Sequence, residues 1–189
     1  MRRWGTAVAA LALAGAGVAA SAGAATASVG SQRTVAATCS TAWGSLDKTG
    51  QDTDYRPLLD IRAGRHDCYD RLVFDISASG GNTGYRVGYV DKFHQDGSGE
   101  EIPVNGGAIL QISVDAPSYD PVSGAQTYAG RAGETLPGVD VTGYRTFQDT
   151  RFGASFEGQT QVAVGVRARL PFRVLQSGDQ LIVDVAHTW

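Results

Sequence analysis

Apolar and polar side chains alternate along much of the chain, and this two-residue period constrains the fold more than any other feature. In AILQISV (108–114), Gln111 and Ser113 alternate with the apolar residues Leu110, Ile112 and Val114. The same alternation recurs in RLVFDIS (71–77), GYRVGYV (84–90), TQVAVGVRAR (160–169) and LIVDV (181–185). Successive side chains of a β-strand point to opposite faces, so each segment is predicted to be a strand that buries one face.

Turn-forming residues separate these segments, as in Asn105-Gly106-Gly107 and Ser177-Gly178-Asp179. Seven to nine short strands with one polar face each predict an all-β fold, a single antiparallel β-sandwich over residues 39–189. A helical turn is expected between Cys39 and Lys48. The irregular stretch Ala116–Gly138 is predicted to be a mobile or ligand-facing loop, because it is rich in Gly and Pro.

The N-terminal region has the order of a secretory signal peptide. Arg2 and Arg3 precede an uncharged run from Thr6 to Ala20, and small residues follow. The run is shorter and less apolar than a stable membrane span requires. We therefore predict a signal peptide over residues 1–27 (cleaved near 24–27) and a flexible leader over 28–38. The mature protein is expected to be extracellular or associated with the cell wall, with no stable membrane span after cleavage.

The chain contains two cysteines, Cys39 and Cys68. An even number of cysteines in an exported protein predicts a disulfide, with Cα atoms no more than ~7 Å apart. One alternative is a lipidated Cys39, but Thr38 lies where such sites prefer a smaller residue. Another is a zinc site, for which two cysteines alone are too few.

Charge and motif content exclude several classes of function. Without residues 1–27 the chain has 14 basic and 19 acidic residues, a net charge of −5, which argues against a nucleic-acid-binding protein. No G-x-S-x-G or H-E-x-x-H motif occurs, and His66, His94 and His187 lack the spacing of metal ligands. We predict a monomer that has no metal, no cofactor and no catalytic set.

Polar residues are densest in GRHDCYDR (64–71). The candidate ligand-binding residues in this segment are Arg65, His66, Asp67 and Arg71. Arginine side chains bind carboxylates through two parallel hydrogen bonds, and the stem peptides of peptidoglycan are rich in carboxylates. The alternative is structural: Asp70 and Arg71 would pair with charged residues of neighbouring strands, such as Asp184, and fix the strand register.

A second group of candidates lies in VRARLPFRV (166–174), which sets Arg167, Arg169 and Arg173 near one another. Alternation places Arg167 and Arg169 on one face, where Arg71 and Arg86 are expected to join them. An anionic polymer could bind such a positive stripe on an acidic protein. The alternative is that these arginines pair with carboxylates on adjacent strands, the candidates being Asp60, Asp75, Glu157 and Asp184.

The segment DKFHQDGSGEE (91–101) contains four acidic residues around two glycines. Its acidic residues do not follow the alternating register of a calcium-binding loop, because Lys92, Phe93 and His94 interrupt them. We interpret the segment as the solvated tip of a hairpin.

Several of these segments resemble one protein family. They are WGSLDK, GRHDCYDRLVFDI, GYRVGYVD, DGSGEEIPVNGGAIL, SFEGQTQVAVGVRARLPFRV and LIVDVAH. In this order, over Cys39–Trp189, they are similar to the secreted AMIN-like domain proteins of actinobacteria. That family in turn resembles the AMIN domain, a non-catalytic β-sandwich that attaches cell-wall amidases to peptidoglycan. The resemblance implies a sandwich fold, a cell-wall or extracellular location and glycan binding, and it assigns no catalytic residue.

Three functional hypotheses follow from the sequence. The first is a non-catalytic cell-envelope protein that binds peptidoglycan or another anionic wall glycan. The second is a small secreted carbohydrate-active hydrolase or lyase that uses the carboxylates of Asp67, Asp70 or Glu157. The third is an extracellular protein-interaction module that presents the Ala116–Gly138 loop.

Overall fold

A computed structural model of the chain describes residues 39–40, 42–51 and 55–189. The predicted signal peptide (1–27) and leader (28–38) lie outside the described residues. Within the described part of the chain, no helix has the length and hydropathy needed to cross a membrane.

The described residues form nine strands in two antiparallel sheets, which confirms the all-β fold. Sheet A has the order β1-β4-β5-β7-β6 and sheet B the order β2-β3-β9-β8. The strands are β1 (Lys48–Gly50), β2 (Leu58–Arg65), β3 (Tyr69–Ile76), β4 (Tyr85–Val90), β5 (Ala108–Val114), β6 (Phe147–Phe156), β7 (Gln159–Val166), β8 (Phe172–Ser177) and β9 (Gln180–Ala186). The expected helical turn is not formed by the described residues between Cys39 and Lys48, where short turns lead directly into β1.

The alternating residues form the core as predicted. The inward side chains of β5, β7 and β9 are fully buried, and they are Leu110, Ile112, Val114, Val162, Val164, Val166, Leu181, Val183 and Val185. They pack with Phe74 of β3 and Phe172 of β8 into one cluster between the two sheets. Burial of apolar surface at roughly 25 cal/mol per Å² is therefore the main force that holds the sheets together.

The β4–β5 connection, residues 91–107, folds back over the outer face of sheet A. Its tip is exposed, as predicted, but Phe93 is fully buried and packs with Ile102 against Ala163 of β7 in a second small core. Glycine permits this approach: a Cβ added at Gly165 would lie 1.8 Å from the carbonyl oxygen of Asn105. The connection therefore covers β7 and leaves the outer faces of β4 and β5 more open.

The stretch Ala116–Gly138 is largely anchored to the body of the domain, which argues against the mobile loop that was one of the two expectations for it. Tyr128 and Leu136 belong to the main core. Two backbone hydrogen bonds, Gly133 N to Phe152 O and Phe152 N to Glu134 O, join the stretch to the free edge of β6. It protects a sheet edge that would otherwise expose unpaired backbone groups.

Candidate functional site

Three arginines converge at one end of the sandwich, where β2 and β7 end and β3 and β6 begin. Arg65 is the last residue of β2, Arg145 precedes β6, and Arg167 follows β7. All three are exposed. We call Arg65, Arg145 and Arg167, with His66 and Asp67 of the β2–β3 turn, the basic end.

Contacts between these segments hold the basic end together. Arg145 Nη1 donates to the carbonyl oxygen of Asp67 at 3.5 Å, and the guanidinium of Arg65 lies 5.8 Å from the centroid of the Tyr144 ring. The backbone N–H of Arg167 donates to Thr146 O at 3.0 Å, while its guanidinium donates to the carbonyl oxygen of His187. The sequence candidates Arg65, His66, Asp67 and Arg167 therefore lie at the same end of the sandwich, although Arg167 is 100 to 102 residues after the other three.

A buried polar cluster lies beneath the basic end. Asp70 is 1% exposed, and one of its carboxylate oxygens accepts the backbone N–H groups of Thr146 (2.6 Å) and Phe147 (3.1 Å). His187 is also buried, with Nδ1 2.9 Å from Thr146 Oγ1 and Nε2 3.0 Å from the carbonyl oxygen of His66. These bonds hold the start of β6 against the end of β9. The other carboxylate oxygen of Asp70, Oδ1, lies 3.9 Å from His187 Nε2 and has no hydrogen-bond partner among the described residues.

Arg71 does not belong to the basic end, because it projects from the outer face of sheet B. Its Nε and Nη2 donate to the two carboxylate oxygens of Asp184 at 2.6 and 2.9 Å. Asp184 is fully buried and also accepts a bond from Arg173 Nε at 2.8 Å. The hydrogen bond to Asp184, opposed by partial burial, raises the pKa of Arg71. The cross-strand alternative is thus confirmed for Arg71, and the carboxylate of Asp184 occupies the guanidinium fork that a ligand would need.

Two aromatic side chains cover this ion pair. The guanidinium carbon of Arg173 lies 4.3 Å from the ring centroid of Trp43 and 5.2 Å from that of Tyr69. The Trp43 and Tyr69 rings meet edge to face at 5.8 Å. The ring of His66 stacks on the ring of Tyr69, and the two centroids are 4.5 Å apart.

Arg169 lies on the sheet A side of the same end. Its Nη2 donates to Ser45 O at 3.2 Å, and its guanidinium carbon lies 5.0 Å from the centroid of the Tyr89 ring. Burial raises the pKa of Tyr89 to about 12, and its hydroxyl donates to Leu170 O at 2.8 Å. Arg169 and Tyr89 line a cavity of about 640 Å³ whose other walls come from the two ends of the β4–β5 connection.

The expectation that Arg71 and Arg86 join Arg167 and Arg169 on one face is wrong. Arg71 is in β3 of sheet B and Arg86 is in β4 of sheet A, so they project from opposite outer faces of the sandwich. Arg167 and Arg169 lie beyond the end of β7, where strand alternation no longer sets their direction.

The predicted disulfide is present. The Cα atoms of Cys39 and Cys68 are 5.3 Å apart. The bond ties the segment before β1 to the β2–β3 turn, beside the basic end.

A family model of the AMIN-like domain matches residues 56–187, well over half of the chain. The chain belongs to the AMIN-like domain family. No curated protein and no solved structure matches it. The matched part of the AMIN-like domain contains β2 to β9 and the three arginines of the basic end, whereas Cys39 and β1 precede it.

The candidate acid–base residues are dispersed across the AMIN-like domain. Asp67 is exposed in the β2–β3 turn, Asp70 is buried beneath it, and Glu157 lies in the β6–β7 turn at the opposite end of the sandwich. Among the described residues, no three His, Cys, Asp or Glu side chains are grouped as a metal site would require.

Sequence reasoning missed Arg145 and Tyr144 at the basic end. Arg145 belongs to no alternating segment, so the only available signal was its position in GYRTF, directly before the apolar start of β6. Arg173 was grouped with the arginines for which pairing with Asp184 was the alternative, and it stands directly opposite Asp184 in the β8–β9 pair.

Proposed function

We propose that this AMIN-like domain protein is a secreted, non-catalytic cell-envelope protein that binds peptidoglycan, or another anionic wall glycan, through its basic end. The observation that carries the proposal is the convergence of exposed Arg65, Arg145 and Arg167 in a chain whose acidic residues outnumber its basic ones. Family membership supports a wall-directed binding module.

The chemistry of the three arginines suits carboxylate ligands. A guanidinium offers a planar fork of donors that matches a carboxylate, and it stays charged at any physiological pH. The guanidinium of Arg65 lies over the Tyr144 ring. Among the described residues, no carboxylate is hydrogen-bonded to it. Its donors are therefore available to carboxylates of the wall peptides or of the glycan.

The positions of the carboxylates support a non-catalytic role. Glycosidases need two carboxyl groups facing each other across the scissile bond. Asp70 instead accepts two backbone N–H groups in the interior, and Glu157 lies at the far end from Asp67. None of these three forms a facing pair with another.

The double variant R65A/R145A tests the proposal. We expect its affinity for purified peptidoglycan sacculi to be roughly thirtyfold lower, because two charge-assisted contacts of about 1 kcal/mol each at an exposed site are removed. The measurement is the bound fraction in a sedimentation assay over a range of sacculus concentrations.

The matched control is R131A, which removes an exposed arginine from the loop along β6. R131A should bind sacculi as the unaltered protein does. Equal binding by R65A/R145A and the unaltered protein would refute a role for the basic end.

A further inference from the structure

A groove runs along the outer face of sheet A, away from the basic end's arginines. It lies between the β4–β5 connection, which covers β7, and the segment Asp47–Gln51, which includes the edge strand β1. Four cavities of about 640, 190, 520 and 450 Å³ follow one another along it and share lining residues. The shared residues are Tyr89 and Val90, then Arg86 and Gln111, then Asp96 and Gln159. We call this continuous depression the sheet A groove.

The floor of the groove follows the strand axis and is polar. The strand register sets Arg86 beside Ser113, and Gly88 beside Gln111, on the outward face of β4 and β5. From Ile109 to Asp115 the floor spans about 20 Å at the rise of a β-strand. That length accommodates several linked sugar rings and greatly exceeds a single small molecule.

Exposed aromatic rings stand at the end of the groove near the β6–β7 turn. Tyr55 is 46% exposed and Phe156 is 51% exposed, and both line a cavity with Asp96, Glu157 and Gln159. Glycine lets the Tyr55 ring approach the β6–β7 turn closely: a Cβ added at Gly158 would lie 2.9 Å from that ring. Aromatic rings left open to water beside hydrogen-bonding groups are suited to stacking against the C–H face of a sugar.

The charge of the groove favours an uncharged ligand. Six carboxylates line it against three cations, Arg86, Lys92 and Arg169. The six are Asp47, Asp91, Asp96, Glu101, Asp115 and Glu157. An anionic polymer would be repelled by this excess, whereas carboxylate, amide and hydroxyl groups all bind sugar hydroxyls.

We infer that the sheet A groove binds a linear, uncharged, hydroxyl-rich glycan chain, whose rings stack on Tyr55 and Phe156 and whose hydroxyls bond to Gln111, Ser113 and Gln159. The inference rests on the proposed cell-envelope role for the source of the glycan. It adds a second binding site to that role. The groove recognises sugars, whereas the basic end recognises carboxylates.

The test is a titration of the isotope-labelled protein with the tetrasaccharides of N-acetylglucosamine and of glucose, followed by two-dimensional amide NMR spectra. At least one tetrasaccharide should shift the amide signals of Gly88, Gln111, Ser113 and Gln159 and leave those of Arg65 and Arg145 in place. The absence of groove shifts with both probes, or equal shifts with the polyanion polygalacturonate, would overturn the inference.

Two variants locate the site. Y55A/F156A should bind the tetrasaccharide at least fivefold more weakly. S113Y should lower the affinity similarly, because its larger side chain would occupy the floor of the groove without contacting the core. The matched control L175A removes an exposed apolar side chain from the outer face of sheet B and should have no effect. Unchanged affinity in both groove variants would overturn the inference.

The two proposals can fail independently. R65A/R145A should keep its full affinity for the tetrasaccharide, because the probe has no carboxylate and the basic end lies outside the groove. Loss of sacculus binding in R65A/R145A with intact tetrasaccharide binding supports both sites. If the groove does not bind the tetrasaccharide, loss of sacculus binding in R65A/R145A still supports the basic end.

Discussion

Replacing Asp184 with alanine is expected to lower the free energy of unfolding by about 3 kcal/mol, the largest effect of any single polar substitution considered. Asp184 is fully buried and accepts three guanidinium hydrogen bonds, two from Arg71 and one from Arg173. Those side chains are only 23% and 32% exposed. Removing the carboxylate leaves two largely buried cations that repel each other and lack their partner.

The measurement is urea unfolding of D184A beside the control D75A. Asp75 makes a similar two-bond contact with Arg62, at 2.6 and 2.9 Å, but the Arg62 side chain is 49% exposed. Solvent screens that pair, so D75A should cost no more than about 1 kcal/mol. A loss in D184A no larger than that in D75A would contradict the structural role assigned to the Arg71–Asp184–Arg173 group.

Removing the disulfide, in the double variant C39S/C68S, is expected to cost ~3–4 kcal/mol. In the chain-entropy model, the bond closes a loop whose ends are 29 residues apart and so reduces the entropy of the unfolded chain. It also holds the segment that places Trp43 over Arg173 and gives the Gly44 carbonyl to the N–H of Phe172. Loss of the bond should therefore loosen the edge of sheet B at β8.

Urea unfolding of the oxidised protein, with and without a thiol reductant, measures this effect. The reductant should shift the midpoint of the unaltered protein to that of C39S/C68S, and it should leave the midpoint of the variant unchanged. A reduced protein as stable as the oxidised one would show that the bond contributes nothing to stability.

Strands with a regular alternation of apolar and polar residues were predicted from the sequence. One face of such a strand is buried, so its inward residues are apolar and its outward residues are polar. β5 is such a strand, and its inward residues Leu110, Ile112 and Val114 were identified correctly. The inward residues of β9 were also identified, although its outward Ile182, Asp184 and Ala186 are buried as well.

No strand was predicted at β6, because register shifts between Phe147 and Asp149 and between Phe152 and Ala154 break its period. Asp149 and Thr150 are also buried, so polarity does not mark its outward face.

The candidate site was only partly predictable, because alternation sets the face of a strand but does not tell which sheet the strand joins. Arg71 and Arg86 illustrate this limit: both alternate outward, yet from different sheets. The pairing of Arg71 with Asp184 could be predicted, because both residues lie in segments that the sequence predicted to be strands. The basic end depends on contacts between segments far apart in sequence, such as that of Arg145 with Asp67, and no local pattern encodes them.

Sedimentation of the purified protein with peptidoglycan sacculi tests the claim that this AMIN-like domain protein binds peptidoglycan. The protein should pellet with the sacculi at low ionic strength. The bound fraction should fall as salt approaches 1 M, where the screening length is only about 3 Å. Recovery of the protein in the supernatant at low ionic strength would contradict the claim.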